Sequence, residues 1–202
     1  MPPAPTSGPS KSDATRTAII AATMEAIGGR GMHDVRVEDI AEAANVSTGL
    51  IYYHFKNRQE LLRAGLTEAL NNCMPYERPV GDLSPADRLY AALGQYLGTE
   101  AEAAKQDRIY AEGMRAAVFD PALRPALTST IDRWESATAG LVEAAFPSGA
   151  AAEARPTAKA LTALVDGLQQ RVRSRLIPRE QALELLRAAI DAAVEEVQNG
   201  DR

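Results

Sequence analysis

Val46-Ser47-Thr48-Gly49-Leu50-Ile51-Tyr52-Tyr53-His54-Phe55-Lys56-Asn57-Arg58 is the stretch on which the reading of this chain turns. Ser47 suits a helix N-cap, where its hydroxyl accepts a hydrogen bond from an otherwise unpaired backbone N–H. Thr48 and Gly49 then leave a slim first turn, able to approach a base edge or a phosphate closely. Ile51 and Phe55 are one helical turn apart and share a buried face, while Thr48, Tyr52 and Lys56 repeat at the same interval on another. Tyr52, Tyr53 and His54 can donate to phosphate oxygens, and Lys56 and Arg58 add positive charge just past the helix. The stretch reads as a short helix that packs by one side and offers the other to DNA.

The residues before it fit. Val37, Ile40, Ala41 and Ala44 fall at helical spacing with acids opposite, which predicts a short supporting helix. Asn45 follows, and asparagine is the best substitute for glycine at a left-handed helix-ending position. Helix, tight turn and helix make a helix-turn-helix. Here the sequence resembles the tetracycline-repressor (TetR) family of transcriptional regulators. The resemblance is carried by Gly31, Asp39-Ile40-Ala41, Val46-Ser47, Tyr52, His54-Phe55 and Lys56-Asn57-Arg58-x-x-Leu61-Leu62. It covers residues 14–66 strongly and the rest in architecture only. Asn45 stands where the family usually has glycine. Arg36 stands where it often has a capping threonine, which puts that cap in doubt and leaves a basic side chain in place. The resemblance implies that Thr48, Gly49 and Tyr53 face base edges, and that Arg36, Ser47, Tyr52, His54 and Lys56 hold phosphates.

The net charge of −5 over 202 residues looks wrong for a DNA binder until it is divided along the chain. In residues 1–58, Lys11, Arg16, Arg30, Arg36, Lys56 and Arg58 balance Asp13, Glu25, Asp34, Glu38, Asp39 and Glu42, so the whole negative excess lies beyond this head. Local geometry, not overall charge, carries the argument. Cys73 is the only cysteine, which rules out an internal disulfide. No signal peptide and no apolar run of membrane-spanning length is present, and a cytoplasmic protein is the expectation.

An enzyme is the contrasting class, and little favours it. His33 and His54 with the distant Cys73 give no metal-ligand spacing and no nucleophile beside a base. Gly28-Gly29-Arg30-Gly31 lacks the spacing and the Lys-Ser/Thr of a nucleotide-binding loop. Neither catalytic residues, nor a metal, nor a cofactor is expected. A helical interaction module without DNA binding is a further alternative.

Composition and periodicity predict an all-α chain. Residues 1–11 read as a disordered tail and 12–58 as the three-helix DNA-binding head. Residues 59–75 form a connecting helix, and 76–202 a helical body for effector binding and dimerisation. Lys11 and Arg16 flank the first helix, where a basic arm can reach a minor groove and a solvated tail is the plainer reading. Ser12 is placed as that helix's cap and Gly28-Gly29 with Gly31 as its end. Asn57 with Glu60 starts the connecting helix, and Ser84-Pro85-x-Asp87 starts another. The pattern loosens around 105–108, so a shorter helix is expected from Ile109. Tyr90, Tyr96, Tyr110, Met114, Arg115, Trp134, Asp166, Gln169, Gln170 and Arg173 are candidates to line an effector cavity, core packing being the plainer reading of any one of them. Leu161, Leu164, Val165, Leu168 and Val172 form one stripe, and Leu186, Ile190, Ala193, Val194 and Val197 another. These hairpin stripes suit either packing within one subunit or a two-fold four-helix bundle, and the resemblance implies homodimerisation through 157–198. The expected partners are a palindromic double-stranded operator, a small-molecule effector and a second copy. Repression is favoured over activation, and no membrane is involved.

Overall fold

The computed structural model describes residues 11–73, 82–98, 101–145 and 151–200, with the side chains of 101–104, 151–152 and 196–200 outside the description. Among the described residues every regular element is helical. The order is α1 (Lys11–Arg30), α2 (Val37–Ala43), α3 (Thr48–His54), α4 (Arg58–Asn71) and α5 (Pro85–Gly94). A 3-10 turn (Gln95–Leu97), α6 (Ala101–Phe119), a second 3-10 turn (Pro121–Leu123), α7 (Arg124–Ala145), α8 (Ala151–Arg173) and α9 (Arg179–Gly200) follow. All of the expected tail but Lys11, and residues 74–81 between the expected connecting helix and the body's first helix, lie outside the described residues.

Two compact units share this chain: residues 1–73 with 108–127, and 74–107 with 128–202. The boundary expected at residue 76 is therefore incomplete, because Arg108–Leu127 pack with the head. α4 lies within the first unit and ends close to the boundary after Cys73, and both α6, between Asp107 and Arg108, and α7, between Leu127 and Thr128, run from one unit into the other.

In the first unit, α1 is already helical at Lys11, so Ser12 sits inside it and not at its cap. It also runs through Gly28 and Gly29 and stops only at Gly31, whose φ of 82° is left-handed. Two features explain the extension. Arg108 donates to the carbonyls of Gly28, at 2.7 Å, and Gly29, satisfying acceptors that a helix end leaves open. Glu112 accepts from the Met32 N–H at 3.1 Å and comes so near Gly31 that a Cβ there would sit 2.9 Å from its Oε1. Arg63 and Asp120 pair at 2.6 Å, and this hydrogen bond holds the Asp120 carboxyl below its ordinary range. Ile19, Ile27, Ile40, Ile51, Phe55, Leu61, Leu66 and Leu70 form the core.

In the second unit, Ser84 accepts from the Asp87 N–H at the start of α5, as expected. The stripe through Leu89, Leu93 and Leu97 is buried, but the helix breaks after Gly94 into the 3-10 turn. The carbonyls of that turn are taken by distant side chains: Gln169 donates to Tyr96 O at 2.8 Å and Arg179 to Leu97 O at 3.0 Å. The expected break near 105–108 is absent, and α6 is continuous there. The apolar pattern loosens because the buried residue at that point is Asp107, paired with Arg173 at 2.6 Å. Burial pushes the Asp107 carboxyl above its ordinary range, against the opposing pull of Arg173. Arg175 ends α8 in the left-handed region at φ 56°, with the Leu176 N–H reaching back to Arg171 O.

Candidate nucleic-acid interface

The turn between α2 and α3 is built as its residues predict. Asn45 takes φ 52°, its N–H bonds Glu42 O at 3.1 Å, and the Val46 N–H bonds Ala41 O at 2.9 Å. That pair of bonds is a Schellman ending, which only a left-handed residue at position 45 permits. Ser47 then caps α3, accepting from the Leu50 N–H at 3.1 Å. Arg36 occupies the cap position of α2 with extended backbone and no side-chain cap bond, leaving its guanidinium exposed.

The short α3 divides sharply. Ile51 is 0% and Phe55 1% exposed, whereas Tyr52 is 50% and Tyr53 78% exposed. Thr48, Gly49 and Lys56 are exposed as well, and His54 is half-buried with its ring edge-on to Tyr53. Two adjacent exposed tyrosines offer ring faces and hydroxyl groups to a partner. Asn57 caps α4 by accepting from the Glu60 N–H at 2.8 Å, while Glu60 accepts from the Lys56 N–H at 3.0 Å. Arg58 departs from its expected place beside the nucleic acid. Its guanidinium turns inward and donates to Val35 O at 2.9 Å and Met32 O at 3.0 Å, clamping the loop that leads to α2.

Sequence comparison agrees with this geometry. Residues 19–64 match the family described as bacterial regulatory proteins, tetR family, and residues 85–195 match the C-terminal domain of BetI-type transcriptional repressors. The chain belongs to the tetR family of bacterial regulatory proteins. The BetI regulator of Serratia proteamaculans is 30% identical over 158 residues, spanning 76% of this chain and 78% of that relative. A TetR-family structure from Rhodococcus sp. aligns with a TM-score of 0.65 at 36% identity, covering 89% of this chain and 98% of that one. The multidrug-binding protein EbrR, solved with proflavin, aligns at 0.61 and 27% identity over 87% and 99%. Proteins of this family are transcriptional regulators and not enzymes.

The second unit of this TetR-family chain holds only some of the residues expected to line a cavity. Tyr96 and Trp134 face each other as tilted rings 4.8 Å apart, and Gln169 and Arg173 are tied to Tyr96 O and Asp107. Asp166 is half-buried. Tyr90 is covered by Arg187, whose guanidinium lies 3.9 Å from the ring centroid. Gln170 is exposed. Tyr110, Met114 and Arg115 belong to the head's unit, where Met114 is exposed and Arg115 pairs with Glu112. Sequence reading missed Gln95, whose Oε1 is buried with no hydrogen-bond partner among the described residues.

The expected dimer stripes need correction too. Leu161, Val165, Leu168, Leu186 and Ile190 are buried within the chain itself, so they are core and offer no surface to a partner. Leu164, Val172, Ala193 and Val194 are half-buried, and the Val197 side chain lies outside the described residues. The exposed faces of the two helices are instead Ala160, Ala163 and Gly167 on α8, with Leu185, Ala188 and Ala192 on α9.

Proposed function

We propose that this regulator is a homodimeric repressor that grips an operator through paired α3 helices and is released by a small organic cation. The observation that carries the DNA reading is the division of α3, with Ile51 and Phe55 anchoring a face that leaves Tyr52 and Tyr53 outside. Thr48, Gly49 and Tyr53 meet base edges; Arg36, Ser47, Tyr52, His54 and Lys56 meet phosphates; Arg58 leaves the set. A two-fold dimer sets two such helices about one DNA turn apart and reads a palindrome. The exposed small faces of α8 and α9 are the surface for the second copy, because alanine and glycine let helices approach closely. A DNA target fits a cytoplasmic regulator.

Cation recognition is supported by the Tyr96–Trp134 pair, since aromatic faces attract cations, and by the buried Gln95 acceptor. EbrR, at 27% identity, was solved with the aromatic cation proflavin. The route to the head is α6. Asp107 is held by Arg173 of α8, and the next residue, Arg108, holds the carbonyl end of α1. The two contacts fall on successive residues of α6, which is the basis for reading it as the route. Near-complete switching requires a differential affinity of about 5.5 kcal/mol between the two dimer states.

A duplex taken from upstream of the gene should bind with an affinity that falls steeply as salt rises. Trp134 is the only tryptophan, so its fluorescence should be quenched by proflavin without DNA present. Proflavin itself intercalates, so release from the duplex is read with tetraphenylphosphonium. Salt-insensitive or absent duplex binding sinks the DNA reading, and an unquenched Trp134 sinks the cation. Tyr52→Phe should weaken binding to every duplex by about 1 kcal/mol and leave the preferred sequence alone, the behaviour of a phosphate contact. Thr48 substitutions should change the preferred sequence instead.

A further inference from the structure

Arg16 of α1 is distant from α3 in sequence, yet its guanidinium carbon lies 5.2 Å from the centroid of the Phe55 ring. Phe55 is the residue on which α3 ends, and Lys56 and His54 flank it. This contact sets an arginine at the C-terminal end of the helix that presents Tyr52 and Tyr53. That end carries the negative pole of the helix, so a phosphate approaching it needs cations to offset the repulsion. Among the described residues neither Arg16 nor Lys56 forms an ion pair, whereas Arg30 pairs with Asp39 and Arg63 with Asp120. Arg58, the other nearby arginine, is committed to loop carbonyls. An arginine held over a ring still has its N–H groups available, and being partly ordered before binding it loses less freedom when it meets a phosphate.

We propose that Arg16 is a DNA-contact residue, positioned by Phe55 to bind backbone phosphate beside Lys56, so that the footprint of the head includes α1 as well as α2 and α3. The proposal rests on the DNA reading above. It differs from a purely structural role, in which Arg16 only covers the Phe55 ring and contributes to stability alone.

The two roles separate by salt dependence. Binding of full-length protein is followed by fluorescence anisotropy on the upstream duplex and on an unrelated duplex of equal length, across a salt series. Arg16→Gln should make the slope of log affinity against log salt shallower by about 0.9 for each protomer engaged. It should weaken both duplexes by the same factor, leaving their ratio unchanged. Arg16→Lys, which keeps the charge and loses the guanidinium, should keep the wild-type slope. A wild-type slope in Arg16→Gln, or an equal loss of slope in both variants, overturns the proposal. Should wild-type protein bind neither duplex in dilute buffer, the DNA reading itself fails, an outcome distinct from wild-type binding that Arg16→Gln leaves unaltered.

Discussion

Phe55→Ala is expected to destabilise the first unit by about 3–5 kcal/mol and to abolish duplex binding. Phe55 is 1% exposed and closes α3, its N–H bonding Ile51 O at 2.9 Å. Truncation removes the transfer energy of a buried ring and leaves a cavity under the recognition helix. It also removes the platform under Arg16. Against a total stability of about 5–15 kcal/mol for a typical domain, that loss leaves little margin. Urea unfolding followed by far-ultraviolet circular dichroism measures the cost, and Phe55→Leu should recover more than half of it. A cost near 1 kcal/mol would mean that the ring is not the anchor of α3.

Gly65→Val should be nearly as damaging, for the opposite reason. A Cβ on Gly65 would lie 2.4 Å from Thr23 Cγ2 and 2.8 Å from Thr23 Cβ, so α1 and α4 cross with no room for a side chain. Thr23 cannot easily turn aside, because it is fully buried and its hydroxyl donates to Ile19 O at 2.7 Å. Overpacking of this kind costs about 1–3 kcal/mol, and valine belongs at the upper end. Gly65→Ala should cost less, because alanine recovers about 1 kcal/mol of helix propensity. Thermal melting of the two variants gives the order. Equal melting temperatures for Gly65→Val and wild type would show that the crossing relaxes freely.

How much of this was legible beforehand depends on how far apart the interacting residues are in the chain. Asn45, Ser47 and Asn57 act on backbone groups within five residues of themselves, so the turn and both caps could be read from local sequence. The same holds for the alternation of buried Ile51 and Phe55 with exposed Tyr52 and Tyr53. Glu112 and Arg108 carry no such signal. Each looks like an ordinary polar residue on a helix, yet one bonds the Met32 N–H and the other the end of α1, both across 80 residues of chain. Asp107 misled for a related reason. A buried ion pair breaks an apolar pattern without breaking the helix. The stripes on α8 and α9 identified apolar faces but not what covers them, and half of their residues are buried inside the chain.

By itself the sequence determined the helical class, the helix-turn-helix and the face that α3 turns outward, because these follow from periodicity and from bonds between near neighbours. Only the tertiary structure decided that Arg58 clamps a loop, that Arg16 reaches Phe55, and that the second half of α6 belongs with the head. A long side chain such as arginine can serve any acceptor or ring within reach, and which one it meets is set by elements that arrive from elsewhere in the chain.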